Sequence, residues 1–113
     1  MHEVSIMESA VSMAVETARK SGSDRVLAVR LRVGVLSGVV PEALRFAFDV
    51  VCQGTPAEGS ALEMELVPAG GWCPVCQADF EYAEFPGECP RCHEPNGELR
   101  RGRELEITSV EIS

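Results

Sequence analysis

Four cysteines in two tight pairs, Cys73-Pro74-Val75-Cys76 and Cys89-Pro90-Arg91-Cys92, set the strongest limit on how this chain folds. Twelve residues separate the pairs. A two-residue gap lets the backbone turn back so that both thiolates of a pair meet one ion. Pro74 and Pro90 pre-shape those turns. Four thiols so spaced are the ligand set of a structural zinc site, with Zn–S bonds of about 2.3 Å. A closed shell of four thiolates leaves no position for a substrate, so the ion reads as structural rather than catalytic. Iron in the same four sulfurs is the chemical competitor. The segment is too short to build a core of its own, so metal binding supplies its folding energy. Phe80, Tyr82 and Phe85 lie between the pairs and can cover the site, and Pro86-Gly87 can reverse the chain.

Around this segment the pattern is that of a small α+β domain. Val4, Met7, Val11, Ala14, Val15 and Ala18 fall on one helical face, which predicts a helix over residues 4–20. Ser5 and Glu8 have capping-box spacing, which places the regular start near residue 6. Gly22 suits its stop. Leu27, Val29, Leu31, Val33 and Val35 alternate with Ala28, Arg30, Arg32 and Gly34, a strand over residues 25–36 with two arginines on its outer face. Pro41 opens a second helix, where a missing N–H costs nothing. Leu44, Ala47, Phe48 and Val51 form its buried stripe, and Gly54 ends it. Residues 61–67 read as a strand with Leu62, Met64 and Leu66 inward and Glu63 and Glu65 outward. Pro68-Ala69-Gly70-Gly71 reads as a hinge. Residues 104–112 form a last strand whose phase slips between Ile107 and Val110, a bulge or a strand with both faces partly covered. The expected fold is two helices on one face of a small three-stranded sheet, with an inserted four-cysteine zinc-ribbon-like module. The division is residues 1–69 with 103–113 for the α/β domain and residues 70–102 for the module.

Charge and cysteine usage narrow the function. The formal charge is −8 over 113 residues, and a tetrathiolate zinc centre adds −2 more. That opposes a nucleic-acid partner or an anionic membrane, both of which need a basic face. From Gly71 to Arg103 there are four Arg against six Asp or Glu, so a nucleic-acid-binding zinc ribbon is disfavoured even locally. Arg100, Arg101 and Arg103 do cluster, as a solvated turn or a protein contact would. No apolar run approaches the roughly 18 residues of a membrane span, and no leader pattern opens the chain. Paired cysteines read as metal ligands in a reducing compartment, hence the cytoplasm. No nucleophile–base pair points to an enzyme. Cys52 reads as core packing. Trp72 is expected where the module meets the rest of the chain. His93 reads as solvated, with a metal-supporting or exchangeable-ligand role as the alternatives.

Met1-His2-Glu3 is a second candidate metal site. A free α-amine, the amide nitrogen of residue 2 and the His2 imidazole are joined through short chelate rings. Such a set favours planar nitrogen coordination, which suits Ni(II) or Cu(II). Glu3 can add its amide nitrogen or its carboxylate. The bulk of His2 should preserve Met1, and with it the spacing.

The chain as a whole resembles the HypA/HybF family of nickel-delivery accessory proteins for [NiFe]-hydrogenase. The resemblance is carried by Met1-His2-Glu3, by Gly34-Val35-Leu36-Ser37-Gly38-Val39 followed by Pro41-Glu42-Ala43-Leu44, by Phe46-Ala47-Phe48-Asp49, and by the two cysteine pairs with His93 after the second. It implies that Met1 (through its amine), His2 and Glu3 hold Ni(II) for transport, and that Cys73, Cys76, Cys89 and Cys92 hold structural Zn(II). It further implies work with the GTPase HypB to load nickel into the hydrogenase large-subunit precursor, as a monomer or homodimer. Some members of the family also serve urease.

Overall fold

The structure is a computed structural model that describes residues 2–95 and 97–113, and of His2 the backbone alone. The elements are α1 (His2–Lys20), β1 (Val26–Gly34), α2 (Pro41–Cys52), β2 (Ala61–Val67), β3 (Gly70–Cys73), β4 (Ala78–Glu81), β5 (Glu98–Arg101) and β6 (Leu105–Ile112). They form two three-stranded sheets, in the orders β2-β1-β6 and β4-β3-β5. Two compact units result, one of Met1–Arg32, Val39–Glu65 and Glu106–Ser113, the other of Val33–Gly38 and Leu66–Leu105.

In the first unit α1 packs on α2, and together they cover one face of the sheet. Met7, Val11, Ala14 and Ala18 bury the inner face of α1, while Leu44, Ala47, Phe48 and Cys52 bury that of α2. Val26, Val29 and Leu31 of β1 meet them from the sheet. Cys52 is thus a core residue, as its sequence setting suggests, and it takes the place expected for the half-buried Val51. The outer face of the sheet carries ion pairs instead. Arg30 reaches Glu63 at 2.6 Å, and Arg32 lies 3.6 Å from both Glu65 and Glu106. Central-strand arginines between flanking glutamates account for the polar half of the alternation. The Arg30–Glu63 pair is exposed and so a small contributor to stability, while Arg32 is half-buried.

Helix α1 starts at His2, earlier than the Ser5–Glu8 pattern predicts. Glu3 lies in the first turn, where a carboxylate suits the helix dipole, and its Oε2 accepts the Val40 N–H at 3.4 Å. That tie holds the turn in place of the expected cap. The other end follows expectation. Gly22 takes φ +81°, and Ser23 N–H to Ala18 O at 2.9 Å with Gly22 N–H to Arg19 O at 3.0 Å closes a Schellman motif.

Strand phases depart from strict alternation at their ends. Leu27 is exposed and Val26 buried, so β1 changes parity at its start. Leu66 is exposed and Val67 buried at the end of β2. In β6, Ile107, Val110 and Ile112 are the half-buried apolar side chains, which reproduces the slip seen in the sequence.

The second unit contains structure that the residue pattern hides. Gly70 and Gly71, expected in a hinge, form β3, the central strand of the smaller sheet. β3 pairs antiparallel with β4 and with β5. Glycine is depleted in strands generally, but at Gly71 the close approach of the neighbouring backbone requires it. A Cβ on Gly70 would overlap the Arg101 guanidinium, and one on Gly71 would lie 2.5 Å from Glu98 O. The segment 34–36 runs beside residues 67 and 102–104, with Val35 N–H to Val67 O at 3.0 Å and Leu36 N–H to Gly102 O at 2.6 Å.

Phe48 is 1% exposed and Phe46 is 72% exposed, although they lie two positions apart on one helix. Phe48→Ala should destabilise the protein by about 3–5 kcal/mol, whereas Phe46→Ala should stay within about 0.5 kcal/mol. Urea denaturation of the zinc-loaded protein measures both.

Candidate metal centre

The two cysteine pairs fold as near copies of one turn. Gln77 N–H donates to Cys73 O at 2.7 Å, and His93 N–H donates to Cys89 O at 2.9 Å. The residue after each pair takes a left-handed backbone, Gln77 at φ 53° and His93 at φ 63°. Left-handed backbone costs a side-chain-bearing residue about 1 kcal/mol or more, so something must hold each turn. In the first turn Cys76 N–H also points at the Cys73 sulfur at 3.4 Å.

These turns bring Cys73, Cys76, Cys89 and Cys92 together, with all four sulfurs within 4.8 Å of one another. Cys73 Sγ and Cys92 Sγ are 3.4 Å apart, and Cys76 Sγ and Cys89 Sγ are 3.9 Å apart. Those two pairs share no member, so they are opposite edges of the cluster. A tetrahedron with 2.3 Å Zn–S bonds has edges of about 3.8 Å. The cage therefore fits a zinc ion, both in donor chemistry and in size. The first cysteine of each pair is buried, Cys76 is half-buried and Cys92 is exposed. Phe80 joins the buried cysteines, with Tyr82 packed against them. Tyr82 is in edge contact with Phe80 at 4.6 Å and with Phe85 at 5.0 Å, so Phe80 and Tyr82 pack at the cysteines as expected, while Phe85 is exposed and reaches only Tyr82.

The thiols do not share protons evenly. Backbone N–H groups, first that of Cys92 and then that of Arg91, lower the Cys89 thiol to about 6. Hydrogen bonding with Cys92, then burial and the other sulfurs, pushes the Cys76 thiol up to about 12. Four thiolates this close repel one another, and a divalent cation is what allows all of them to ionise together.

His93 stays outside the cluster. It is exposed, and its Nδ1 lies 2.7 Å from Glu88 Oε1. Trp72 stands in β3 immediately before Cys73, with the Arg100 guanidinium 5.2 Å above its ring. At the other candidate site, Glu3 is a half-buried residue of the first turn of α1. The backbone of His2 opens that helix. Met1 and the His2 imidazole lie outside the described residues.

Zinc displaces thiol protons, so its affinity should fall as pH falls. Above about pH 6 the Cys89 proton is already gone. Below that value the dependence of log affinity on pH should steepen by about one proton per ion, as read by competition with a chromophoric chelator. Cys52 should behave differently. It is 2% exposed and burial pushes its thiol up to about 11. The paired cysteines would be released once no ion joins the two turns, whereas Cys52 stays in the apolar core of the first unit, so alkylation of metal-stripped protein should modify the four paired cysteines and spare Cys52, while all five react in denaturant, as counted by mass spectrometry.

Comparison with known proteins agrees with this geometry. A family model described as HypA, hydrogenase/urease nickel incorporation, metallochaperone, matches residues 1–112. The hydrogenase maturation factor HypA of Chloroflexus aurantiacus is 44% identical over 114 residues, covering 98% of each chain. That of Rhizobium leguminosarum bv. viciae is 42% identical over 112 residues, covering 99% of each. Among solved structures, a solution structure titled HypA protein superposes with a TM-score of 0.75 at 23% identity, covering 100% of this chain and 97% of the other. The Ni metallochaperone HypA from Helicobacter pylori gives a TM-score of 0.64 at 22% identity, covering 97% and 96%. The solved structures support the fold, and the family model and the curated relatives support kinship: this chain belongs to the HypA family of hydrogenase and urease nickel-incorporation proteins.

Proposed function

We propose that this protein binds Ni(II) at its N-terminus and delivers it to the large-subunit precursor of [NiFe]-hydrogenase, working with the GTPase HypB in the cytoplasm. In this reading residues 1–69 with 103–113 carry the nickel function. Residues 70–102 hold zinc as a structural ion on Cys73, Cys76, Cys89 and Cys92. Nickel is cargo, held by the Met1 amine, by the amide nitrogen and imidazole of His2, and by Glu3.

The observation that supports this reading most is the start of α1 at His2. The first N–H groups of a helix have no intrahelical acceptor. Deprotonating the residue 2 amide for coordination therefore sacrifices no helical hydrogen bond. The helix dipole, unfavourable to a bare cation, favours the anionic amide nitrogen that forms. Glu3 is anchored by its carboxylate contact with Val40 N–H, which fixes the turn beside the donors. A site at the chain tip is also open enough for handover, a requirement that a closed cage of four sulfurs does not meet.

His2→Ala should abolish nickel binding and leave the zinc content and the fold unchanged. An extension before Met1 should do the same, because the amine becomes an amide. Nickel affinity of the unextended chain should fall as pH falls through roughly 6.5, where free imidazole gains a proton. Isothermal titration of untagged protein, followed by metal analysis, checks all three. Wild-type affinity in the His2→Ala protein would remove the N-terminal site from consideration.

A further inference from the structure

We propose that the arginine-lined cavity beside β5 is a docking site for an acidic, extended segment of a partner protein. The cavity has a volume of about 320 Å³ and is lined by Leu99, Arg100, Arg101, Arg103 and Glu104. The chain has ten Lys and Arg against eighteen Asp and Glu. Three of those ten stand between positions 100 and 103. A basic lining in so acidic a protein gives a partner a local sign to read.

Two of the three guanidinium groups are held in place. Arg100 lies 5.2 Å over the Trp72 ring, within the range of a cation–π contact. Arg101 donates to Phe80 O at 3.2 Å and lies 3.6 Å from Asp79. Arg103 is exposed. Positioned guanidinium forks bind carboxylates bidentately with less ordering on contact. The Arg100–Glu98 pair at 3.3 Å is on the surface, so an incoming carboxylate can replace Glu98 at little cost. β5 is also an edge strand of its sheet. An extended segment can lie along it and place alternate side chains into the cavity.

The lining selects among anions. Glu104 is part of the wall, with its Oε1 accepting Gly102 N–H at 2.8 Å. Its charge opposes a compact phosphate dianion more than it opposes single carboxylates spaced along a chain. Leu99 adds an apolar wall suited to a peptide side chain. Nucleic acid needs a continuous basic track, and a net charge of −8 opposes its approach. The inference rests on the folded metal-loaded unit and is independent of nickel at the N-terminus.

Trp72 is the only tryptophan, so its fluorescence reports on Arg100 directly. Zinc-loaded full-length protein is titrated with a short acetylated peptide of alternating glutamate and leucine. Parallel titrations use the glutamine–leucine analogue, inorganic phosphate and a short oligothymidylate. The acidic peptide should change Trp72 emission saturably, and its binding should weaken as salt rises from about 50 to about 300 mM. Arg100→Gln with Arg103→Gln should weaken binding at least about tenfold. Arg103→Gln alone, which disturbs neither the Trp72 stack nor the sheet, should weaken it in the same direction. Arg19→Gln, the same change of net charge on α1, should leave it unaltered. The proposal is overturned if the acidic peptide fails to bind or if the glutamine analogue binds equally. It is also overturned if the arginine variants match wild type, or if phosphate or oligothymidylate binds as tightly as the peptide.

Discussion

Convergence of four sulfurs is the constraint on which the smaller unit rests. Its buried apolar content is Phe80, Cys73 and Cys89 with a few flanking residues such as Val33, Val67 and Ala69. So little burial does not offset the ordering of the chain between Leu66 and Leu105. Each of its strands has only four residues, too short to persist alone. A cation that joins the two turns closes the loop between them and neutralises the thiolates, and the short sheet then has a fixed base.

The larger unit depends on nothing of the kind. Its helices present continuous apolar stripes, and its central strand meets them with Val26, Val29 and Leu31. The two units therefore differ in their physical basis, one held by hydrophobic burial and the other bringing four thiols within 4.8 Å of one another, a set that suits a metal ion.

Much of this was legible in the residues, and the misses have identifiable causes. The helical stripes, the alternation around Arg30 and Arg32 and the Cys-x-x-Cys spacing are local periodicities, and local periodicity survives in a single sequence. The early start of α1 was not legible, because the Glu3–Val40 contact joins positions far apart in the chain. β3 was hidden for a related reason. Gly70 and Gly71 read as a hinge by propensity, and only the positions of Arg101 and Glu98 reveal that a side chain would not fit. The parity change in β2 is likewise invisible, since Leu66 and Val67 are both apolar. At the cage, the spacing identified the four ligands but not their unequal burial. The unequal proton affinities of Cys76 and Cys89 arise from backbone N–H groups and neighbouring sulfurs placed by the tertiary fold.

Gln77 and His93, held at φ 53° and 63°, carry a further consequence. Neither is glycine, so each turn is kept against its own backbone preference. In the zinc-loaded protein an ion on the four sulfurs would cross-link both turns, and its withdrawal would release the two together. Reloading would then require the incoming ion to gather all four thiolates itself. Selection falls at that gathering step, where oxygen-loving ions such as magnesium compete poorly for sulfur.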